Sequence, residues 1–125
     1  MEYKKIKTYI NACKVKGIKP KSLSDFAFLP KDEREIAFFN HQRITIADAI
    51  KKGLPAIDWN NRNQTKWEAI FQWDYETSRF GFWCSDFTYT RTITFCGSRL
   101  NFPDKASCDY FGKNFSKIHN KALTL

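Results

Sequence analysis

The sequence lacks the long apolar run that a membrane-spanning helix requires. Its first residues, MEYKKIKTY, also lack the apolar stretch of a secretory signal peptide. Together these two absences predict a soluble protein of the cytoplasm that has no membrane partner. Disorder is excluded for most of the chain, because 12 Phe, 5 Tyr and 4 Trp among 125 residues supply ample apolar surface for a core. The length fits one domain with an appended N-terminal element.

Closely spaced cysteine and histidine pairs are missing as well. The four cysteines are Cys13, Cys84, Cys96 and Cys108, and none of them forms the short CxxC interval of a structural zinc site. The absence of an export signal favours free thiols over disulfides. We therefore expect neither a metal nor another cofactor.

Catalytic signatures are absent: the chain has no GxSxG, Walker A, HExxH or dinucleotide-binding glycine pattern. Asp74, Glu76 and Asp86 flank predicted strands and would have to converge to hold the metal of a nuclease, which leaves that activity as a remote alternative. Cys108 and His119 lie eleven residues apart on one predicted helix. Three helical turns separate their side chains too far for a nucleophile–base pair. We expect a protein without enzymatic activity.

Acidic residues are scarce in the first 22 positions, where Glu2 alone opposes seven lysines. These lysines are Lys4, Lys5, Lys7, Lys14, Lys16, Lys19 and Lys21. The segment thus carries +6 of the chain's formal net charge of +8. A lysine that displaces a counterion from a phosphate adds salt-dependent affinity, so charge this polarised predicts a polyanion as partner.

The same segment has a helical pattern from Glu2 to Lys16, with Tyr3, Ile6, Ile10 and Cys13 on one stripe and Gly17 as a stop signal. We predict a basic amphipathic helix or arm over residues 1–22 and a single α+β domain over residues 23–125. Two interpretations fit this helix. It packs on the domain with its lysines in solvent, or it is an arm that orders on a partner.

Two further helices are predicted. Pro30 opens one that runs to Lys52, and its apolar stripe comprises Ile36, Phe39, Ile46 and Ile50. Arg43 lies in line with this stripe, and it either extends from the edge or pairs with an acidic residue. The other runs from an N-cap at Asp104 to Ala122. Its buried stripe comprises Cys108, Phe111, Phe115, Ile118 and Ala122, and Gly112 indicates close packing against the sheet.

The C-terminal helix adds Lys113, Lys117 and Lys121 to the basic residues. Chain termini are often neighbours in compact domains, and in that case the two basic patches would merge. Arg99 precedes this helix and is predicted to point away from the core. It either pairs with Asp104 or Asp109 or binds phosphate through both arms of its guanidinium group.

Three strands are predicted between the helices, from an alternation of period two. They cover Trp67 to Tyr75, Arg79 to Cys84 and Phe87 to Phe95. The expected fold is α+β: N-terminal helices, an antiparallel meander of three or slightly more strands, and a C-terminal helix on one sheet face. Thr88, Thr90, Thr92 and Thr94 form a hydroxyl row that is either a solvated face or a docking surface. Trp59, in the preceding loop, either covers the core or is an exposed anchor.

Five sequence pieces resemble a family of small, mostly uncharacterised proteins from phages and mobile elements of Bacteroidota. They are WNNRNQTKW (Trp59 to Trp67), IFQW (from Ile70), GF (from Gly81), GSRLNF (from Gly97) and YFGKNF (from Tyr110). The resemblance covers roughly Leu29 to the C-terminus. The family often has Cys where this chain has Asn101, and an acid where this chain has Ala56 and Ile57. The resemblance implies a phage-related origin and action in the bacterial host.

These observations lead to one principal functional hypothesis. The chain binds a host nucleic acid, RNA rather than DNA, or a nucleoprotein, and its most specific form is an anti-defence inhibitor of an RNA-guided nuclease, similar to an anti-CRISPR protein. The binding residues would be the N-terminal lysines, Arg99 and the C-terminal lysines. A minor virion component or assembly protein that uses the aromatic strands and the threonine row is the alternative.

Overall fold

The computed structural model describes residues 2–87, 94 and 96–124, and they form an α+β fold as predicted. The helices are α1 (Tyr9–Lys16), α2 (Lys31–Lys51), α3 (Lys105–Asn114) and α4 (Ser116–Leu123). The strands are β1 (Trp67–Asp74), β2 (Arg79–Phe87) and β3 (Asn101–Phe102). Short 3₁₀ turns occupy Tyr3–Lys5, Leu23–Phe26 and Ser98–Leu100. No helix within these residues has the length and apolarity needed to cross a membrane.

The predicted N-terminal helix is divided into two pieces. The 3₁₀ turn ends at Ile6, where the backbone becomes extended, and α1 begins after Thr8, whose hydroxyl accepts a hydrogen bond from the Asn11 amide at 3.1 Å. This break changes the phase of the apolar stripe. Tyr9 is buried in place of Ile10, which is 47% exposed. Gly17 ends α1 in the left-handed region, with φ of 70°.

The second predicted helix has nearly the expected bounds. The acidic residues Asp32 and Glu33 lie in the first turn of α2, where they complement the helix dipole. Only the C-terminal half of α2 is deeply buried, with Ile46 and Ile50 in the core, while Ile36 and Phe39 are half-buried. The N-terminal half of α2 therefore lies at the periphery.

The sheet is antiparallel, with strand order β2-β1-β3. A bulge at Trp83 interrupts the β1–β2 pairing, since Ile70 pairs with Cys84 and Phe71 with Phe82. The extra residue, Trp83, is 65% exposed. Within the strand predicted from Phe87 to Phe95, Phe87 is the last residue of β2, and Thr94 is described outside any strand. The rest of that strand and of the threonine row lies outside the described residues.

The predicted C-terminal helix is also divided. Asp104 is its N-cap, as expected, and accepts a hydrogen bond from the Ser107 amide at 2.8 Å. Phe115 leaves the helical region at φ −131° and ψ 39°, which separates α3 from α4 while keeping the Phe115 side chain buried. The prediction of one continuous helix from Asp104 to Ala122 is therefore wrong. Cys108, Phe111 and Ala122 are nevertheless buried, as the apolar stripe predicts.

A hydrophobic core joins the N-terminal segment to the helices and the sheet. It includes Ile6 and Cys13 from the segment, Ile46 from α2, Phe102 from β3 and Phe111 from α3. At Gly112 the packing leaves no room for a side chain, because a Cβ atom would overlap the ring of Phe82 on β2. Gly112 thus allows α3 to lie close to the sheet, as the sequence predicts.

We expect Gly112→Ala to destabilise the protein by about 1 to 3 kcal/mol through this overlap, even though alanine favours an exposed helix by about 1 kcal/mol over glycine. Chemical denaturation measures the change. Gly81→Ala is the matched control, because a Cβ atom there meets no described atom within 4 Å. Replacing Phe82 by Leu in the Gly112→Ala background should recover part of the stability. An unchanged or increased stability of Gly112→Ala would contradict the packing argument.

Candidate nucleic-acid interface

The N-terminal lysines stand on a segment that is docked against α3. The Tyr110 hydroxyl lies 3.0 Å from the Lys4 carbonyl and 2.7 Å from the Ile6 carbonyl, and it donates to this pair of acceptors. The Tyr3 and Tyr110 rings meet edge to face at 5.3 Å. Burial raises the pKa of Tyr110, which keeps its hydroxyl a donor. The backbone that carries Lys4, Lys5 and Lys7 is therefore fixed, which favours the docked interpretation of the first helix.

The two basic termini meet in one cleft. Lys7 and Lys117 line this cleft, which has a volume of about 270 Å³, together with the polar residues Thr8, Asn114 and Ser116 and the apolar residues Tyr9, Phe115 and Ile118. We call this surface the basic cleft. No side chain of a described residue caps the first turn of α4, which begins at Ser116. Two lysines, three neutral polar residues and the first turn of α4 supply donors of the kind that contact phosphate oxygens.

Two other C-terminal lysines flank the basic cleft. Lys121 follows Lys117 by four residues and is exposed, so both lie on the outer face of α4. Lys113, on α3, lies over the Phe82 ring, with Nζ 6.0 Å from the ring centroid. The break at Phe115 therefore leaves Lys113 beside the sheet and Lys117 in the basic cleft.

Lys16 and Arg99 converge on Asp48 of α2. Lys16 Nζ lies 2.7 Å from Asp48 Oδ2, and Arg99 pairs with the same oxygen. Burial would raise the pKa of Asp48, but the hydrogen bonds from Lys16 and Arg99 outweigh burial and hold it below its ordinary value. Arg99 thus pairs with neither Asp104 nor Asp109, because Asp104 caps α3 and Asp109 accepts from Ser85 and Lys105.

The remaining N-terminal lysines lie away from the basic cleft. Lys19 and Lys21 line a separate depression that also includes Asp25, whose carboxylate accepts from the Ser22 amide at 2.7 Å. Lys14 is exposed on α1. The predicted binding residues therefore do not form one surface: Lys7 and Lys117 line the basic cleft, Lys16 and Arg99 pair with Asp48, and Lys14, Lys19, Lys21 and Lys113 lie elsewhere.

Arg43 is more deeply buried than the sequence suggested. Only 6% of it is exposed, and neither predicted behaviour occurs: it does not extend from the edge, and no carboxylate of a described residue pairs with it. Its Nε donates to His119 Nδ1 at 3.0 Å, and its Nη1 donates to Asn40 Oδ1 at 3.3 Å. His119 Nε2 in turn donates to the Phe111 carbonyl at 2.8 Å. The bond from Arg43 to His119 joins α2 to α4, and the bond from His119 to the Phe111 carbonyl joins α4 to α3.

This network requires a neutral His119, because Nδ1 must keep a lone pair for Arg43. Burial lowers the pKa of His119 to about 3, and the positive charge of Arg43 adds to that effect, while the bond to the Phe111 carbonyl opposes it. The Tyr9 hydroxyl and Nε2 of the other histidine, His41, form a hydrogen bond of 2.8 Å between α1 and α2. Both histidines therefore join helices to one another.

Lys66 and Glu68 are buried polar residues that sequence reasoning missed. Lys66, 1% exposed, donates through Nζ to the carbonyls of Asn61 at 2.9 Å and Gln64 at 3.0 Å. Trp59 lies over Nζ at 5.3 Å and so covers this site rather than standing free as an anchor. Glu68, 3% exposed, accepts from the Thr94 hydroxyl and from Asn101 Nδ2 at 3.1 Å. The short β3 strand buries Glu68, and no local pattern marks so brief a strand.

The catalytic alternatives do not assemble. Asp74 pairs across the hairpin with Arg79 near the turn, whereas Asp86 pairs with Glu68 at the other end of the hairpin. Within the described part of the chain, no cluster of three His, Cys, Asp or Glu side chains could hold a metal. All four cysteines are free, and burial raises the pKa of both Cys96 and Cys108 to about 12, which leaves these thiols unreactive.

Comparison with known proteins gives no relative. No family model matches the chain, and neither curated proteins nor solved structures match it.

We expect acid to destabilise the protein through His119. The folded pKa of about 3 lies below the ordinary 6.5, so the unfolded chain binds the extra proton and stability falls as pH falls through this interval. The expected loss of stability between pH 7 and pH 5 is roughly 2 kcal/mol, measured by urea unfolding at both values.

His119→Gln is the control, since it keeps a donor for the Phe111 carbonyl and cannot titrate. Its stability should change less than that of the wild-type protein between pH 7 and pH 5, whatever its absolute value. Equal changes in the two proteins would show that His119 is not the titrating group.

Proposed function

We propose that the protein binds nucleic acid through the basic cleft. One observation carries the proposal: lysines from the two ends of the chain, Lys7 and Lys117, line the same small cleft. Lysine side chains that share a cleft raise the local positive potential, which attracts an anionic partner. A phosphate backbone supplies closely spaced negative charges of the required sign.

The surroundings of the basic cleft support a backbone-reading mode. Among the described residues, no acidic side chain lines the cleft, whereas the depression at Lys19 and Lys21 includes Asp25. Hydroxyl and amide groups of Thr8, Asn114 and Ser116 accompany the two lysines, and such groups contact phosphate and sugar without reading sequence. Lys4, Lys5 and Lys121, exposed and nearby along the chain, extend the positive field beyond the cleft. We expect binding with little sequence preference.

The more specific form of the proposal is inhibition of a host defence nucleoprotein. A small non-enzymatic protein that covers the phosphate backbone of a guide RNA would block an RNA-guided nuclease without any chemistry of its own. The resemblance to phage and mobile-element proteins of Bacteroidota supports this context, and RNA is the expected polymer. We propose action in the bacterial cytoplasm on this basis.

A second candidate function is supported by the aromatic hairpin. Tyr75 is 89% exposed and Trp83 is 65% exposed, and such side chains favour protein–protein contacts. An interaction or assembly protein would use this surface and leave the lysines in solvent. It predicts self-association or binding of a partner protein that salt weakens little.

The test is a salt titration of binding to short RNA, single-stranded DNA and duplex DNA by fluorescence anisotropy. We expect measurable affinity that falls linearly on a logarithmic plot against salt concentration, and RNA as the tightest ligand. Lys117→Glu should weaken binding at low salt by about tenfold and reduce the salt slope by about 1 for each phosphate that the variant no longer binds.

Lys31→Glu is the matched control. It changes the net charge by the same amount, but Lys31 is exposed at the start of α2, where an acid also suits the helix dipole. Equal weakening of binding by Lys117→Glu and Lys31→Glu would show that the effect comes from net charge alone. That result would contradict a defined binding site at the basic cleft. Absence of binding to all three polymers at near-physiological salt would overturn direct nucleic-acid binding and favour the protein-partner candidate.

A further inference from the structure

Arg43 borders a second cavity that the nucleic-acid proposal does not use. The cavity has a volume of about 330 Å³ and lies between α2, β1 and the end of α4. Its apolar wall consists of Ala69, Ile70, Phe71, Phe80, Leu100 and Leu123. Arg43 and Asn40 form a polar corner. This combination of an apolar wall with a few converging polar groups is typical of small-molecule sites.

Arg43 forms no ion pair with a described residue. Its two hydrogen-bond acceptors, His119 Nδ1 and Asn40 Oδ1, are both neutral. The Phe71 ring faces the guanidinium group at 5.6 Å, but a ring quadrupole compensates a buried cation far less than a carboxylate does. Arginine does not lose its proton in proteins, so the charge is retained despite burial. A residue that is only 6% exposed thus carries a charge that an anionic ligand in the cavity would compensate.

The head group that fits this corner is a carboxylate. A guanidinium group has five N–H donors, and His119 and Asn40 take only two of them. A planar carboxylate can accept from two of the others in parallel. Glu68 also lines the cavity, but its Oε1 is held by Thr94 and Asn101. Cys96 at the rim has a pKa of about 12, so it adds no charge.

We propose that this cavity binds a small carboxylate with an apolar body, its head on Arg43 and its body against the apolar wall. The ligand would have about ten non-hydrogen atoms, if each takes roughly the 30 Å³ of one liquid water molecule. A phosphate dianion fits less well, because the apolar wall would strip its hydration without replacing it. No residue that lines this cavity also lines the basic cleft.

The first test compares ligands that share a chain and differ in head group. Octanoate and 3-phenylpropionate are the carboxylate probes, and octan-1-amine and octan-1-ol are the controls. Titration of ¹⁵N-labelled protein follows the Arg43 Nε–H resonance, and thermal unfolding follows stability. We expect saturable shifts and a raised Tm with at least one carboxylate, and at least tenfold weaker binding of the amine and the alcohol. Equal binding of all head groups, or no binding of either carboxylate, overturns the proposal.

The second test supplies the counter-ion from the chain itself. Asn40→Asp places a carboxylate beside Arg43 Nη1, so it should raise Tm without ligand and weaken octanoate binding at least tenfold. Arg43→Met should also abolish octanoate binding. If that variant does not fold, the octanoate affinity of Asn40→Asp alone tests the proposal. Lys117→Glu should bind octanoate like the wild-type protein, because it lies outside this cavity. Unchanged octanoate affinity in Asn40→Asp would overturn the assignment of the head group to Arg43.

Discussion

The hydrogen bond from Arg43 to His119 is the interaction on which the arrangement of the C-terminal half depends. It joins the buried part of α2 to α4, and the second nitrogen of the same imidazole binds the carbonyl of Phe111 in α3. The neutral imidazole of His119 accepts one hydrogen bond and donates another. These two bonds fix the position of α4 relative to α2 and α3, although the helix is interrupted at Phe115. Since α4 carries Lys117, this buried contact also sets the position of one wall of the basic cleft.

The other wall is set by an equally specific contact. Tyr110 binds two carbonyls of the N-terminal segment, which contributes Ile6 and Cys13 to the core. The lysines near these carbonyls are thereby held on a rigid surface, and their conformational entropy is partly lost on folding rather than on binding a partner. A preorganised basic surface binds a polyanion with a smaller entropic cost than a free basic arm does.

Much of the architecture could be predicted from local patterns, whereas the polar interior could not. The alternation from Trp67, the Pro30 start of α2 and the N-cap at Asp104 are short-range signals, and each has its counterpart in the structure. The breaks near Thr8 and at Phe115 have no strong breaker residue, since neither Gly nor Pro occurs there. The sequence predicts that the two basic ends meet only if the chain termini are neighbours. Local patterns do not decide this, because it depends on contacts between residues more than 100 positions apart, such as Tyr110 with Lys4. Arg43, Lys66 and Glu68 are charged residues whose burial depends on distant partners, which composition and periodicity do not register.

The break at Phe115 determines which measurements would detect a change in the helical geometry at this junction. In one continuous helix, Lys113 and Lys117 would be neighbours four residues apart, but here Lys113 lies over Phe82 and Lys117 lines the basic cleft with Lys7. A variant that straightened this junction would keep the isoelectric point near 9.4 and the same electrophoretic mobility when unfolded. It would nevertheless separate the two chain ends. Bulk charge measurements would therefore miss such a variant, whereas chemical cross-linking between Lys7 and Lys117 would reveal it.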